Sequence, residues 1–171
     1  MNKIAVLGTG ESLSLYDPAA FDLAIGVNDI WRYHRVDAVV VLNKPSSFGF
    51  DRIRHIRESE ADAFFSQMVT WDYKRGFKKI EFYPGYPDNI CKLDGEPYER
   101  SYCSPFVACQ IAYRVYGATE MHLFGVDMTR HPNLNGNILP KTIKHFQNLN
   151  TALREKGSEI IVHGSGILKN I

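Results

Sequence analysis

Seven short runs of the chain, at residues 3–7, 22–27, 37–42, 63–66, 78–82, 120–124 and 159–162, read as strands, and several are apolar throughout instead of alternating. A strand with one wet face alternates apolar and polar residues, whereas a strand covered on both faces does not. Helices cover both faces of a sheet when its strands run parallel, because each parallel neighbour has to be reached by a crossover. Strand followed by helix, repeated along the chain, therefore predicts right-handed crossovers. The expected fold is α/β, a Rossmann-like three-layer sandwich around a mostly parallel sheet of about six or seven strands.

With 171 residues and neither an internal repeat nor a linker, the chain is expected to form a single nucleotide-binding domain over residues 1–171. The clearest helix starts at Ser104, whose hydroxyl suits a cap, with Pro105 at the first helical position and Gly117 as the closing residue. A second helix is expected over residues 141–156, with Ile143, Phe146, Leu149 and Leu153 facing inward and Gly157 ending it. Residues 83–102 carry Pro84, Gly85, Pro87, Gly95 and Pro97 with little periodicity and read as a long loop. Residues 128–140 read as a short lid-like segment.

Twenty Lys and Arg against nineteen Asp and Glu leave a formal charge of +1, so no global field draws a polyanion and nucleic acid is not the expected partner. The basic cluster Arg52, Arg54, His55 and Arg57 reads as a solvated helix face. Cys91, Cys103 and Cys109 are odd in number and lack a CxxC pair, which argues against a disulfide framework or a thiolate zinc site and for a reducing cytoplasm. The start of the chain lacks the long apolar region of a signal peptide, and no run approaches the ~20 residues of a membrane span. Self-association stays open.

Ligands of open parallel sheets bind at the carboxyl ends of the strands, so the residues that follow each run carry the functional reading. The first run leads into Gly8-Thr9-Gly10-Glu11-Ser12-Leu13, the second into Asn28-Asp29, the third into Asn43-Lys44-Pro45 and the sixth into Gly125-Val126-Asp127. Gly8 and Gly10 let a backbone turn tightly and bring N–H groups to a phosphate, and Ser12 can cap a following helix. Leu13 stands where a dinucleotide fingerprint wants a third glycine, and the Gly-Lys-Ser/Thr ending of a P-loop is absent. The amides of Asn28 and Asn43 suit ribose hydroxyls or a base edge, although Asn28, ahead of Ile30-Trp31, suits a helix cap equally. Lys44, restrained by Pro45, can meet an anion.

Asp127 can hold a metal, a ribose or a base, and His131 follows four residues later. With no HxH, HExxH or carboxylate cluster, metal hydrolysis is not expected, and Cys103-Ser104 lacks a nucleophile elbow. His145 on the late helix is a second histidine candidate. His34, His55, His122 and His163 read as packing or surface residues.

With those residues in place, the chain resembles the bacterial sialyltransferases of glycosyltransferase family 42 and the related pterin diphosphokinase-like domains. The resemblance rests on IAVLGTGESL, FDLAIGVND, VVVLNKPSS and SYCSPFVACQIAYRVYGATEMHLFGVDM, which span most of residues 3–128 in the family's order. It implies that Gly8, Thr9, Gly10, Ser12, Asn28, Asn43 and Ser104 contact a CMP-activated sugar. Thr9 stands where the family has Asn. Residues 128–156 contain none of the tyrosines that bind the leaving phosphate there, and alignment back from the final strand puts Leu139 near the position of the family's histidine base. His131 and His145 are the substitutes this chain offers.

The sequence thus leads to a glycosyltransferase-like enzyme acting on a nucleotide-activated sugar, with His131 or His145 deprotonating the acceptor. Backbone N–H groups and Lys44 would stabilise the leaving phosphate. That scheme requires no cofactor. The alternatives are a diphosphokinase-like enzyme in which Asp127 places Mg²⁺ on ATP, and a noncatalytic nucleotide-binding protein.

Overall fold

The apolar runs pair side by side in the computed structural model, which describes residues 2–82, 98, 103–128 and 138–171. Strands β1 (Lys3–Leu7), β2 (Leu23–Val27), β3 (Ala38–Val40), β4 (Ala63–Ser66), β5 (Phe77–Lys79), β6 (Glu120–Phe124) and β7 (Glu159–Val162) form one sheet in the order β5-β4-β3-β2-β1-β6-β7. Every neighbouring pair runs parallel. This is the three-layer α/β sandwich expected from the apolar runs. Helices α2 (Ser104–Tyr116) and α3 (Ile138–Arg154) bury Phe106, Ile111, Phe146 and Leu149 on the sheet face that presents Ile4, Val6, Ile25 and Val40. The opposite face presents Ala5, Leu7, Val39 and Phe64 to Ile56 of helix α1 (Phe50–Glu58), Trp71 and the short 3-10 turns after β1 and β2.

Two strands begin one residue later than expected, because the aspartates ahead of them bond sideways. Asp22 Oδ2 accepts the Lys3 N–H at 2.8 Å, and Asp37 Oδ2 accepts the Ala24 N–H at 2.8 Å. The edge strand β5 covers Phe77–Lys79 in place of the expected 78–82. At the start of α2, Cys103 takes the cap position with no side-chain cap bond, so Ser104 is the first helical residue and not the cap. Gly117 closes that helix in the left-handed conformation at φ 67°, as expected, and its N–H bonds the Ala112 and Tyr113 carbonyls. Helix α3 starts at Ile138, inside the segment expected to act as a lid. Residues 129–137 of that segment, and residues 83–102 apart from Tyr98, lie outside the described residues. Among the described residues, no helix is long and apolar enough to cross a membrane.

Helix α1 ends against a buried lysine. Lys74, 8% exposed, donates to the Arg57 carbonyl at 2.7 Å and the Ser59 carbonyl at 2.5 Å, which are among the carbonyls a helix end leaves unpaired. Lys74→Met keeps the bulk and removes both bonds, so it is expected to lower stability by about 1 kcal/mol, read as a shift in urea midpoint at constant slope.

Candidate functional site

Strand order runs outward from β1 through β2 to β5 and then resumes on the other side of β1 with β6, so the order reverses between β1 and β6. Such a switch point opens a crevice at the carboxyl ends of the strands. Gly8, Asn28, Asn43 and Asp127 all follow strands that point to that edge. Helix α2 leads back into β6 and therefore starts at the same edge, which places Ser104 there. The topology thus brings these residues to one rim.

The glycine turn is bound to the end of β6 more tightly than sequence reasoning foresaw. Gly8 N–H donates to the Phe124 carbonyl at 2.8 Å, and Gly10 N–H to the Gly125 carbonyl at 2.8 Å. These two amides are engaged and do not face a phosphate. Ser12 lies inside the turn and caps nothing; its Oγ accepts the Gly125 N–H at 2.8 Å and its own N–H donates to Asp127 Oδ2 at 2.9 Å. Glycine is required because a β-carbon at Gly8 would strike the Gly125 carbonyl, and one at Gly10 would strike both Asp127 Oδ2 and that carbonyl. Thr9 is exposed at the crest, and among the described residues its N–H meets no acceptor. Asp127 is therefore the buried clasp between the two strand ends. Among the described residues, no three His, Cys, Asp or Glu side chains gather as a metal-ligand set.

Asn28 and Met128, directly beyond β2 and Asp127, are the described non-glycine residues in the left-handed region, at φ 52° and 54°. Such conformations concentrate at functional sites, and asparagine tolerates them better than most residues. The Asn28 N–H is fixed by the Val40 carbonyl at 3.0 Å, while its Oδ1 is enclosed and meets no hydrogen-bond donor among the described residues. Buried polar atoms without partners are rare, and each calls for a reason. Next to it, Asp29 is buried and takes Nε and Nη2 of Arg52 on Oδ1 at 2.9 and 2.7 Å. Arg52, read from sequence as part of a solvated face, thus anchors the Asn28 turn to α1. Asn43 and Lys44 are exposed at the end of β3, their backbone held by the Trp71 indole N–H on the Asn43 carbonyl at 2.8 Å.

Ser104 is nearly buried in the first turn of α2. Burial pushes the thiol of neighbouring Cys103 up to about 12, which removes it as a nucleophile. His145 is half-buried in α3 with its ring centroid 5.5 Å from that of Phe106, and His131 lies outside the described residues. One part of the rim was missed. Residues 164–166, Gly-Ser-Gly, follow β7 and fold over the switch point. A β-carbon on Gly164 would sit 2.6 Å from Ser12 Cβ and 3.0 Å from Asp127 Oδ1, and one on Gly166 2.5 Å from the Asp127 carbonyl. The signal was present, since two glycines directly after the last strand meet the same strand-end rule that picked out Gly8 and Gly10.

No protein-family model matches the chain, and no curated protein does. Two solved structures are similar in fold. A point mutant of the α-2,3/8-sialyltransferase CstII aligns at a TM-score of 0.54 and 15% identity over 94% of this chain and 81% of that one. CstII from Campylobacter jejuni, in complex with the substrate analogue CMP-3FNeuAc, aligns at 0.53 and 16% identity over 95% and 79%. At that identity the likeness establishes a shared fold across nearly the whole chain.

Proposed function

We propose that the chain binds a nucleotide-activated sugar, a CMP-sugar by its resemblance, at the carboxyl rim between β1, β2 and β6, and transfers the sugar to an acceptor. The observation that carries this reading is the Asn28 amide oxygen, enclosed in a left-handed turn at that rim with no donor among the described residues. A ligand N–H or O–H would complete it. A fold shared with a protein seen bound to CMP-3FNeuAc adds to that support.

In this scheme Asn28 and Asn43 contact base or ribose, while the Thr9 N–H and Lys44 face the phosphate in place of the engaged Gly8 and Gly10 amides. Ser104 lies at the start of α2, beside the same rim. The acceptor hydroxyl needs a base near neutral pH, which points to histidine. His145 packs on Phe106, which favours His131 of the two candidates taken from the sequence.

Asn28→Gly tests the reading, because glycine keeps the left-handed backbone while removing the side chain that carries the amide. Calorimetry with CMP is expected to show affinity reduced several-fold, about 1 kcal/mol, with the unliganded melting temperature not lowered. Unchanged CMP affinity would take Asn28 out of the site. Stabilisation by Mg²⁺-ATP and not by CMP would replace the transferase with the diphosphokinase reading, since a ligand stabilises only the folded state it binds.

A further inference from the structure

Glu120 and His122 alternate along β6 and so share one sheet face, with His163 just beyond β7 beside them. His122 Nε2 lies 3.0 Å from Glu120 Oε2, and His122 Nδ1 lies 2.9 Å from His163 Nε2. Stacking holds both rings in place. His163 lies on Phe124 with centroids 4.1 Å apart and planes 8° from parallel, the two imidazoles are 5.2 Å apart at 19°, and Phe21 meets His122 edge-on at 5.0 Å.

A hydrogen bond between two ring nitrogens needs a hydrogen on one and a lone pair on the other. Hydrogen bonds from His122 and then from Lys3 hold the Glu120 carboxyl below its ordinary range, so it remains an acceptor and His122 Nε2 donates to it. With both rings neutral, His163 Nε2 donates to His122 Nδ1. One added proton leaves a bond in place, since the charged ring donates to the lone pair of the neutral one. A second puts N–H groups on both sides of the 2.9 Å gap, and attraction becomes repulsion.

The charged groups around the pair are already engaged. Glu120 is shared with Lys3 of β1 at 3.1 Å, and Asp22 Oδ2 takes the Lys3 backbone N–H. Glu159, opposite Glu120 on β7, pairs with Arg154 of α3 at 3.8 Å, and Asp127, which borders Gly164, accepts the Ser12 N–H. Against Phe21 and Phe124 packs Tyr16, whose pKa is raised by burial and then by Asp37 and Asp17, with His34 edge-on to it. Burial, and next the nearness of His122, lower the pKa of His163.

His163 is also the hinge of the chain's last segment. Its backbone N–H bonds the Leu123 carbonyl, Gly164 turns at φ +94° against Ser12 and Asp127, and the Ile167 N–H reaches the Asp127 carbonyl at 3.3 Å. Leu168 then enters the core. Phe124, under the His163 ring, gives its carbonyl to the Gly8 N–H. A displaced His163 ring therefore disturbs both segments that border the switch point.

We propose that the His122–His163 pair is a pH-sensitive latch, which holds residues 164–168 against Ser12 and Asp127 and releases them when both rings are charged. A histidine whose pKa is lowered by folding contributes stability above the ordinary value of 6.5 and loses it as pH falls through the lowered one. Acid therefore opens the strand-end rim from its β7 side, whatever ligand the rim takes.

Amide hydrogen exchange of the unliganded chain, read by NMR from about pH 7.5 to about pH 5 and corrected for intrinsic exchange, tests the latch. Protection of the Ile167 amide is expected to fall relative to that of Val6 in β1, by at most about tenfold per pH unit, the limit for one proton. His122→Gln replaces the ring by an amide whose nitrogen donates to Glu120 and whose oxygen accepts from His163 in either charge state, so the fall is expected to vanish. His163→Gln is the reciprocal change, with the same expectation, and carries the comparison where the first variant does not fold. In the parent protein, an Ile167 amide that is unprotected at neutral pH, or that tracks Val6 throughout, overturns the proposal without either variant. An undiminished fall in a folded variant overturns it as well, since another group then titrates. No nucleotide is present at any step, so the outcome is separate from that of the CMP calorimetry.

Discussion

Phe106→Ala is expected to lower the unfolding free energy by about 3–5 kcal/mol, on the order of 10 °C in melting temperature for a chain of this size. Phe106 is 1% exposed and stands two residues after Ser104, in the first turn of α2. Its ring meets Phe146 edge-on at 5.5 Å and His145 at 5.5 Å, so it ties the start of α2 to the middle of α3. Truncation leaves a cavity between two helices that are already fixed to the sheet, and such a site collapses poorly. A Phe106→Leu variant, which refills much of the volume, is expected to recover most of the loss. If alanine shifts the urea midpoint by less than a leucine does, Phe106 does not join the helices as the packing indicates. Because Ser104 is carried on the same turn, CMP affinity of the folded alanine variant is expected to fall with stability.

The sheet was legible because its signal is local. Runs such as Lys3–Leu7 and Glu120–Phe124 announce themselves in a few adjacent residues, and their boundaries matched residue for residue. Helix α2 was legible through Pro105 and Gly117, although Cys103 and not Ser104 occupies its cap because the backbone turns one residue earlier. The strand-end rule located the rim for the same reason. What it could not give was the partner of each group. Gly8 and Gly10 look like phosphate ligands until β6 is placed beside β1 and takes their amides. Arg52 looks solvated until Asp29, 23 residues away, is found beneath it. His122 and His163 are separated by 41 residues and become a hydrogen-bonded pair only through the β6–β7 register. Long-range pairing of polar groups leaves no period in a sequence, and that is where the functional reading changed most.

Gly10→Val is expected to destabilise the unliganded protein at or beyond the upper end of the ~1–3 kcal/mol typical of overpacking. Gly10 has φ −80° and ψ 179°, a conformation open to any residue, so backbone strain does not contribute. The conflict is steric and lies within the protein: the new β-carbon meets Asp127 Oδ2, and the Gly125 carbonyl lies 2.9 Å from it. A carbonyl fixed by the β1–β6 junction cannot swing aside as a flexible side chain can. Relief by moving Asp127 breaks its bond to Ser12 N–H and leaves a buried carboxylate without that donor, which adds to the loss. Gly10→Ala is expected to show the same defect in smaller measure. Its coupling with Asp127→Ala is expected to be favourable, because the second change removes one of the two clashing groups, so the double variant is more stable than the sum of the single losses predicts. Urea unfolding without ligand reads all four corners of that cycle. Additive losses would mean that Gly10 and Asp127 do not meet. A Gly10→Val protein that unfolds at the parent midpoint while losing CMP would show instead that the glycine faces the ligand, and the turn would return to the role of a phosphate cradle.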